Sequence, residues 1–221
     1  MKLGKKITTL IVLFCLLFAA CKKKDNSKDA DTEKFDINNP AGYYIYVKYV
    51  DTRREVATPW LFRFNVGKTM TLYYIGQNGD TLPYEIIDGN TIYLGDISFT
   101  IDNGKITKSN AEFTDLALIK DPETNQLSGK TFTGTYYKFD GSPWHQNYFY
   151  SFSGNENKVS AGINVGSVQR TENYIPIGNI GAWVDTPENY RELMVLVNGK
   201  LEVGYYSWEP RNWYYGSFTK R

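Results

Sequence analysis

His145 is the single histidine among 221 residues, and it stands in Ser142-Pro143-Trp144-His145-Gln146 at the entry to an apolar run. One imidazole excludes a zinc centre built on two or three histidines. No Gly-x-Ser-x-Gly elbow occurs that would give this imidazole a serine to activate. Carboxylates are the other route to hydrolysis, since a pair held across a cleft can act as acid and base on a sugar bond. Glu85, Asp96, Asp185 and Glu202 lie in or beside alternating runs, where the spacing turns them toward solvent or into turns. Gly162 to Gly166 lacks the Lys-Ser/Thr that would reach a phosphate and its metal. Asp25 to Asp31 lacks the turn glycine and the closing Glu of a calcium loop. No catalytic residue, cofactor or metal ligand is therefore assigned.

The aromatic residues are the more informative set. Tyr, Phe and Trp number 18, 12 and 5, or 16 % of the chain. In Tyr43 to Val50 one strand face carries Tyr43, Ile45, Val47 and Tyr49, while the other carries Tyr44, Tyr46 and Val50. A strand apolar on both faces must bury both or show one to a partner. The first outcome would pack two halves of the molecule together, and tyrosine suits it because its hydroxyl can reach water at the rim. The second would make a surface of Tyr and Trp, for which Trp144, Trp183, Trp208, Trp213 and Tyr206 are the candidate binding residues. Flat rings stack on sugars, so glycan contact is the specific expectation, with an envelope protein as the other partner class.

The elements that must position these side chains are strands. Apolar residues recur at spacing two from Gly42 onward, as in Trp60-Leu61-Phe62-Arg63-Phe64-Asn65-Val66, and no run longer than ten residues has a helical period. Asn78-Gly79, Asp88-Gly89, Asn103-Gly104 and Asn198-Gly199 are dipeptides that tolerate the positive φ of a hairpin turn. Roughly eight strands are expected in residues 41–121 and roughly eight in 131–221, joined through 121–130 with Pro122, Asn125 and Gly129. The halves can be laid on each other. Gly42-Tyr43-Tyr44 aligns with Gly134-Thr135-Tyr136-Tyr137, Pro59-Trp60 with Pro143-Trp144, and Tyr84-Glu85-Ile86 with Tyr174-Ile175-Pro176-Ile177. The clearest pair is Ile101-Asp102-Asn103-Gly104-Lys105-Ile106 with Leu196-Val197-Asn198-Gly199-Lys200-Leu201. The expected fold is all-β: two small antiparallel barrels in tandem, or two-layer sandwiches of the same strands.

Ahead of them, residues 1–20 combine a basic start (Lys2, Lys5, Lys6) with an apolar run to Ala20, the pattern of a signal peptide. At 14 residues this run is shorter than the roughly 20 needed to span a bilayer. Residues 21–40 are polar and read as a flexible tether. Without the leader's three lysines the chain has 22 basic and 24 acidic residues, a balance that excludes a nucleic-acid surface.

Phe18-Ala19-Ala20-Cys21 resembles the bacterial lipoprotein signal, in which small residues precede a cysteine that is acylated and becomes the mature N-terminus. The resemblance implies palmitate-type acylation of Cys21 and a protein tethered to the membrane. Lys22 stands where an Asp would retain such a protein on the inner membrane, so the outer membrane is expected, with the periplasmic and surface faces both open. The succession of aromatic strand, turn, Asn-Gly-Lys hairpin and closing strand is similar to the lipocalin-like domains of many small bacterial lipoproteins. Asp80-Thr81-Leu82 resembles the acceptor of an O-glycosylation system for exported proteins, and this makes Thr81 a candidate glycosylation site beside the plainer reading of a turn. The expected function is non-enzymatic binding or assembly at the envelope. A barrel carrying a small apolar ligand and a carboxylate-based glycan hydrolase are the alternatives.

Overall fold

The computed structural model describes residues 35–50, 57–186 and 189–221; the leader, Cys21 and most of the tether lie outside them. Among the described residues every regular element is a strand and every pairing is antiparallel. The first half holds β1 (Tyr43–Val50), β2 (Ala57–Asn65), β3 (Thr69–Tyr74), β4 (Gln77–Pro83), β5 (Glu85–Ile87), β6 (Thr91–Leu94), β7 (Ile97–Asp102), β8 (Lys105–Ser109) and β9 (Phe113–Lys120). The second holds β10 (Thr131–Lys138), β11 (Pro143–Phe152), β12 (Lys158–Ile163), β13 (Arg170–Asn173), β14 (Ile175–Ile177), β15 (Gly181–Thr186), β16 (Tyr190–Val197), β17 (Lys200–Ser207) and β18 (Asn212–Lys220).

The second half is one sheet in the order β13-β12-β11-β10-β18-β17-β16-β15-β14. Its two edges, β13 and β14, are consecutive strands with only Tyr174 between them. One residue of chain therefore draws the edges together, and the sheet curls into a nearly closed barrel that leaves little edge open to other chains. The first half forms two sheets, β4-β3-β2-β1-β9 and β5-β6-β7-β8. Set β8 beside β9, which it touches without a ladder, and the order matches that of the second half strand for strand. Tyr84 divides β4 from β5 as Tyr174 divides β13 from β14, and both are buried. Among the described residues each half thus has nine strands where roughly eight were expected, because a single-residue break is too small to show in an apolar pattern.

Local chemistry accounts for the hairpins. Asn103 and Gly104 have φ of 50° and 72°, and Asn198 and Gly199 have 49° and 78°, the pair of positive values that a two-residue turn between twisted strands needs. Asn78-Gly79 behaves differently. Tyr74 pairs with Gln77, which places that turn at Ile75-Gly76 and leaves Asn78, Gly79 and Thr81 inside β4. The β3–β4 register slips between Leu72 and Tyr73, and Gly79 at φ +79° absorbs the slip as a bulge.

Three apolar clusters hold the body together. The first interior is lined by Ile45, Val47, Phe62, Phe64, Met70 and Phe99 among others. Phe35 and Ile37, from the stretch expected as tether, pack onto it, with the Phe35 ring 5.1 Å from Tyr43. The second interior is lined by Phe132, Tyr136, Tyr150, Met194, Leu201 and Phe218. The third cluster is the seam between halves, where Tyr44, Tyr46, Leu61 and Ile75 meet Ile177, Trp183, Leu193 and Val195. The second face of β1 therefore packs the halves together, which answers the choice posed by its two apolar faces. Within the strings Gly42-Tyr43-Tyr44 and Gly134-Thr135-Tyr136-Tyr137, Tyr43 and Tyr136 both face an interior while Tyr44 faces the seam, so the faces correspond only with one residue of slip. A one-residue slip reverses every face of a strand.

Polar contacts fix the joint. The Tyr44 hydroxyl donates to Asp121 Oδ2 at 3.0 Å, and Asp121 Oδ1 accepts the Asn179 backbone N–H at 2.9 Å. Gly178 between them has φ +54°, and a Cβ there would sit 1.8 Å from the Tyr44 hydroxyl, so only glycine lets the β14–β15 turn approach.

Candidate functional site

Three of the five predicted binding residues come together on the outside of the second sheet. Antiparallel register sets Asp185 opposite Arg191, Arg191 opposite Tyr206, and Tyr206 opposite Trp213, one row across β15 to β18. Arg191 Nε donates to Asp185 Oδ1 at 3.1 Å, and its guanidinium lies 4.9 Å from the Trp208 ring centre. Tyr206 is 4.5 Å from Trp213 and 4.8 Å edge-on from Trp208. The rings are half-buried, since Tyr206 and Trp213 also pack on the seam cluster. Trp213 continues into a depression of about 430 Å³ shared with Lys138, Asp140, Asn212 and Tyr214. Cross-strand register gives Asp185, Arg191, Tyr206 and Trp213 a fixed spacing, and Trp208 joins them from the turn between β17 and β18.

Trp144 lies apart from this row, against the second interior. It stacks on Tyr214 at 3.8 Å with 18° between the planes and stands 4.0 Å from His145. Burial pulls the His145 pKa below the ordinary imidazole value, which keeps the ring neutral at pH 7. Trp183 needs correcting as a surface platform: it is 0 % exposed in the seam, and its indole Nε1 has no hydrogen-bond partner. It sits at the centre of β15, whose residues Gly181 to Val184 are all buried, so no outward position was open to it. Thr81 is exposed on β4, with its hydroxyl 3.0 Å from that of Thr71. Cys21 lies outside the described residues.

Of the four carboxylates, Asp96 and Glu85 face solvent and Asp185 is held by Arg191. Glu202 departs from the expectation of a solvent-facing strand residue. It is 6 % exposed beside the seam, accepting Tyr215 OH at 2.7 Å and Ser217 Oγ at 2.8 Å, with Lys48 Nζ at 3.3 Å.

The most highly organised polar cluster was not singled out from the sequence. Inside the second barrel Glu192 is 0 % exposed, and its Oε1 accepts Arg170 Nη2 at 2.5 Å, Tyr150 OH at 2.6 Å and Tyr136 OH at 3.3 Å. The Tyr136 and Tyr150 hydroxyls also share a hydrogen bond. Arg170 Nη1 donates to Tyr190 OH at 2.8 Å, and Tyr190 in turn donates to Glu172 Oε1 at 2.8 Å. Glu192 Oε2 is buried without a partner.

Electrostatics keeps every donor in place. Burial opposes the Arg170 charge, but the adjoining Glu192 carboxylate outweighs it and the guanidinium stays protonated. Burial first, and then the same carboxylate, pushes the Tyr136 and Tyr150 hydroxyls up, so both remain donors. The available signal was Tyr190-Glu192-Met194-Leu196, a Glu in an otherwise apolar alternate row, but Arg191-Leu193-Val195-Val197 on the other face is as apolar, so alternation does not say which row faces the interior. It also lacked the partner, because Arg170 lies on a strand at the far edge of the sheet.

Comparison of the chain with protein-family models, with curated proteins and with solved structures gives no match.

Proposed function

We propose that this is a lipid-anchored protein of the cell envelope, held at the outer membrane by acyl chains on Cys21, which recognises glycan and does not turn it over. The observation that carries the recognition is the Arg191-Tyr206-Trp213 row with Trp208 beside it. Two indoles and a phenol at stacking distance, bordered by a guanidinium, make a platform for the apolar faces of sugar rings and donors for their hydroxyls. The anchor is supported by the leader and by Ala19-Ala20-Cys21. Each buried acyl methylene contributes about 0.8 kcal/mol, so several chains on one cysteine would give durable attachment.

Two measurements test the reading. Cys21→Ala should move the folded chain from the membrane to the soluble fraction, and retention in the membrane would sink the anchor. Titration of the purified full chain with envelope glycan fragments should quench tryptophan fluorescence, and Trp213→Ala should weaken that binding at least tenfold. An unchanged affinity in Trp213→Ala would remove the row as the binding surface.

A further inference from the structure

Beside the seam a groove of about 490 Å³ is lined from both halves of the molecule, by Tyr46 and Lys48 of β1, Asp115 of β9, Glu202 of β17, and Tyr215 and Ser217 of β18. We propose that this groove binds a neutral oligosaccharide through its hydroxyls. The proposal rests on the glycan reading above for its ligand class and on separate residues for its site.

The charges are deliberately close. Lys48 Nζ lies 2.9 Å from Asp115 Oδ2 and 3.3 Å from Glu202 Oε2, and 5.0 Å from the centre of the Tyr215 ring. Asp115 is aimed there by a bulge. The β1–β9 register slips between Tyr46 and Lys48, and Asp115 takes φ +50°, a conformation that a plain ladder would not need. Burial works against the Lys48 charge, but Tyr215, Asp115 and Glu202 around it raise its pKa and keep it an ammonium. With Lys200 also on the lining, two cations stand against two carboxylates. An anionic ligand would meet Asp115 and Glu202, and a cationic one would meet the two lysines. A hydroxyl, which both donates and accepts, suits every group present.

A second, independent observation concerns a buried hydroxyl at the groove. Tyr46 is 1 % exposed, and its hydroxyl has no hydrogen-bond partner although it borders the groove beside Glu202, Tyr215 and Asp115. A buried hydroxyl left unpaired costs about 1–3 kcal/mol, a cost that a ligand hydroxyl would remove. The shape favours a chain of rings. Across the Lys48-Asp115-Tyr215 bridge lies a second depression of about 340 Å³ that shares these three residues. A peptide is the weaker fit: β1, β17 and β18 are hydrogen-bonded on both sides, and the side of β9 that has no ladder is flanked by β8.

The test is calorimetric titration of the full chain in detergent with cellotetraose, maltotetraose and chitotetraose, and with tetraserine, trilysine and tetragalacturonate as contrasts. A neutral tetrasaccharide should bind, and Tyr46→Phe should weaken it at least tenfold while leaving the melting temperature unchanged or higher, since it deletes only an unpaired hydroxyl. Glu202→Gln should also weaken it. Equal affinity in Tyr46→Phe, a lowered melting temperature in that variant, or preference for tetraserine or a charged ligand overturns the groove. Binding that is lost in Trp213→Ala and kept in Tyr46→Phe overturns the groove and leaves the surface row standing. The reverse pattern overturns the row, and no saccharide binding by the parent chain overturns both.

Discussion

The two halves share one strand order and differ in what fills it. The first interior is apolar, built on Ile45, Val47, Phe62, Phe64 and Phe99. The second encloses Arg170, Glu192 and four tyrosines that bond to them, Tyr136, Tyr148, Tyr150 and Tyr190. Counting back along the two equivalent hairpins from Ile101 and Leu196, Ile97 occupies the place of Glu192. A nine-stranded frame of this kind therefore accepts either filling, because the backbone ladder satisfies itself and asks of the interior only volume and paired polar groups. The polar version places a guanidinium 16 % exposed at the barrel wall, and a charge can be tolerated there only with its partner.

That contrast can be broken at four places. Glu192→Ala should have the largest effect, about 3–5 kcal/mol lost in denaturant unfolding, because Arg170 is left as an uncompensated buried charge. The next is alkaline. Burial raises the pKa of Tyr215 to about 12 from an ordinary value near 10, and pushes Tyr136, Tyr150, Tyr190 and Tyr205 up as well. A group whose folded pKa is raised contributes stability that is complete below the unfolded pKa and is lost as pH rises through the folded one. Tyr215 should therefore begin to cost stability above about pH 10, with its share gone by about pH 12. Tyrosinate absorbance followed with near-UV circular dichroism should show the second barrel losing order before the first. Stable packing of the second barrel at pH 12 would contradict the buried network.

Ile92→Val in the first interior should cost about 0.5–1.5 kcal/mol, the ordinary loss for one buried methylene, measurable by the same unfolding titration. The smallest change is expected from Arg170→Met with Glu192→Leu, Tyr136→Phe and Tyr150→Phe, which removes the ion pair together with the two hydroxyls that donate to Glu192 and gives the second barrel the chemistry of the first. Stability should then stay level or rise, and a loss comparable to Glu192→Ala would mean that the ion pair specifies the fold.

The groove and the interior network differ in how far they could be read in advance. Glu192 stands among apolar residues on β16, but so does Arg191 on the opposite face, and the partner Arg170 lies on a distant strand. Glu202 alternated as a surface residue should, and only the approach of Lys48 from the other half buries it. Trp183 was indistinguishable in type from Trp208 and Trp213, yet the seam covers one and leaves the others on the outer row.

The amino-acid sequence by itself determined the features that need only neighbouring residues: strands from alternation, and turns at Asn103-Gly104 and Asn198-Gly199 from the positive φ that those types tolerate. The matching of Tyr84 with Tyr174 was legible too. Tertiary structure alone decided which apolar face of β1 lines the first interior and which packs against the second half, and which carboxylates lose their water. Burial and charge pairing arise between groups distant in the chain, and an alternating pattern specifies the side of a strand without specifying what lies across from it.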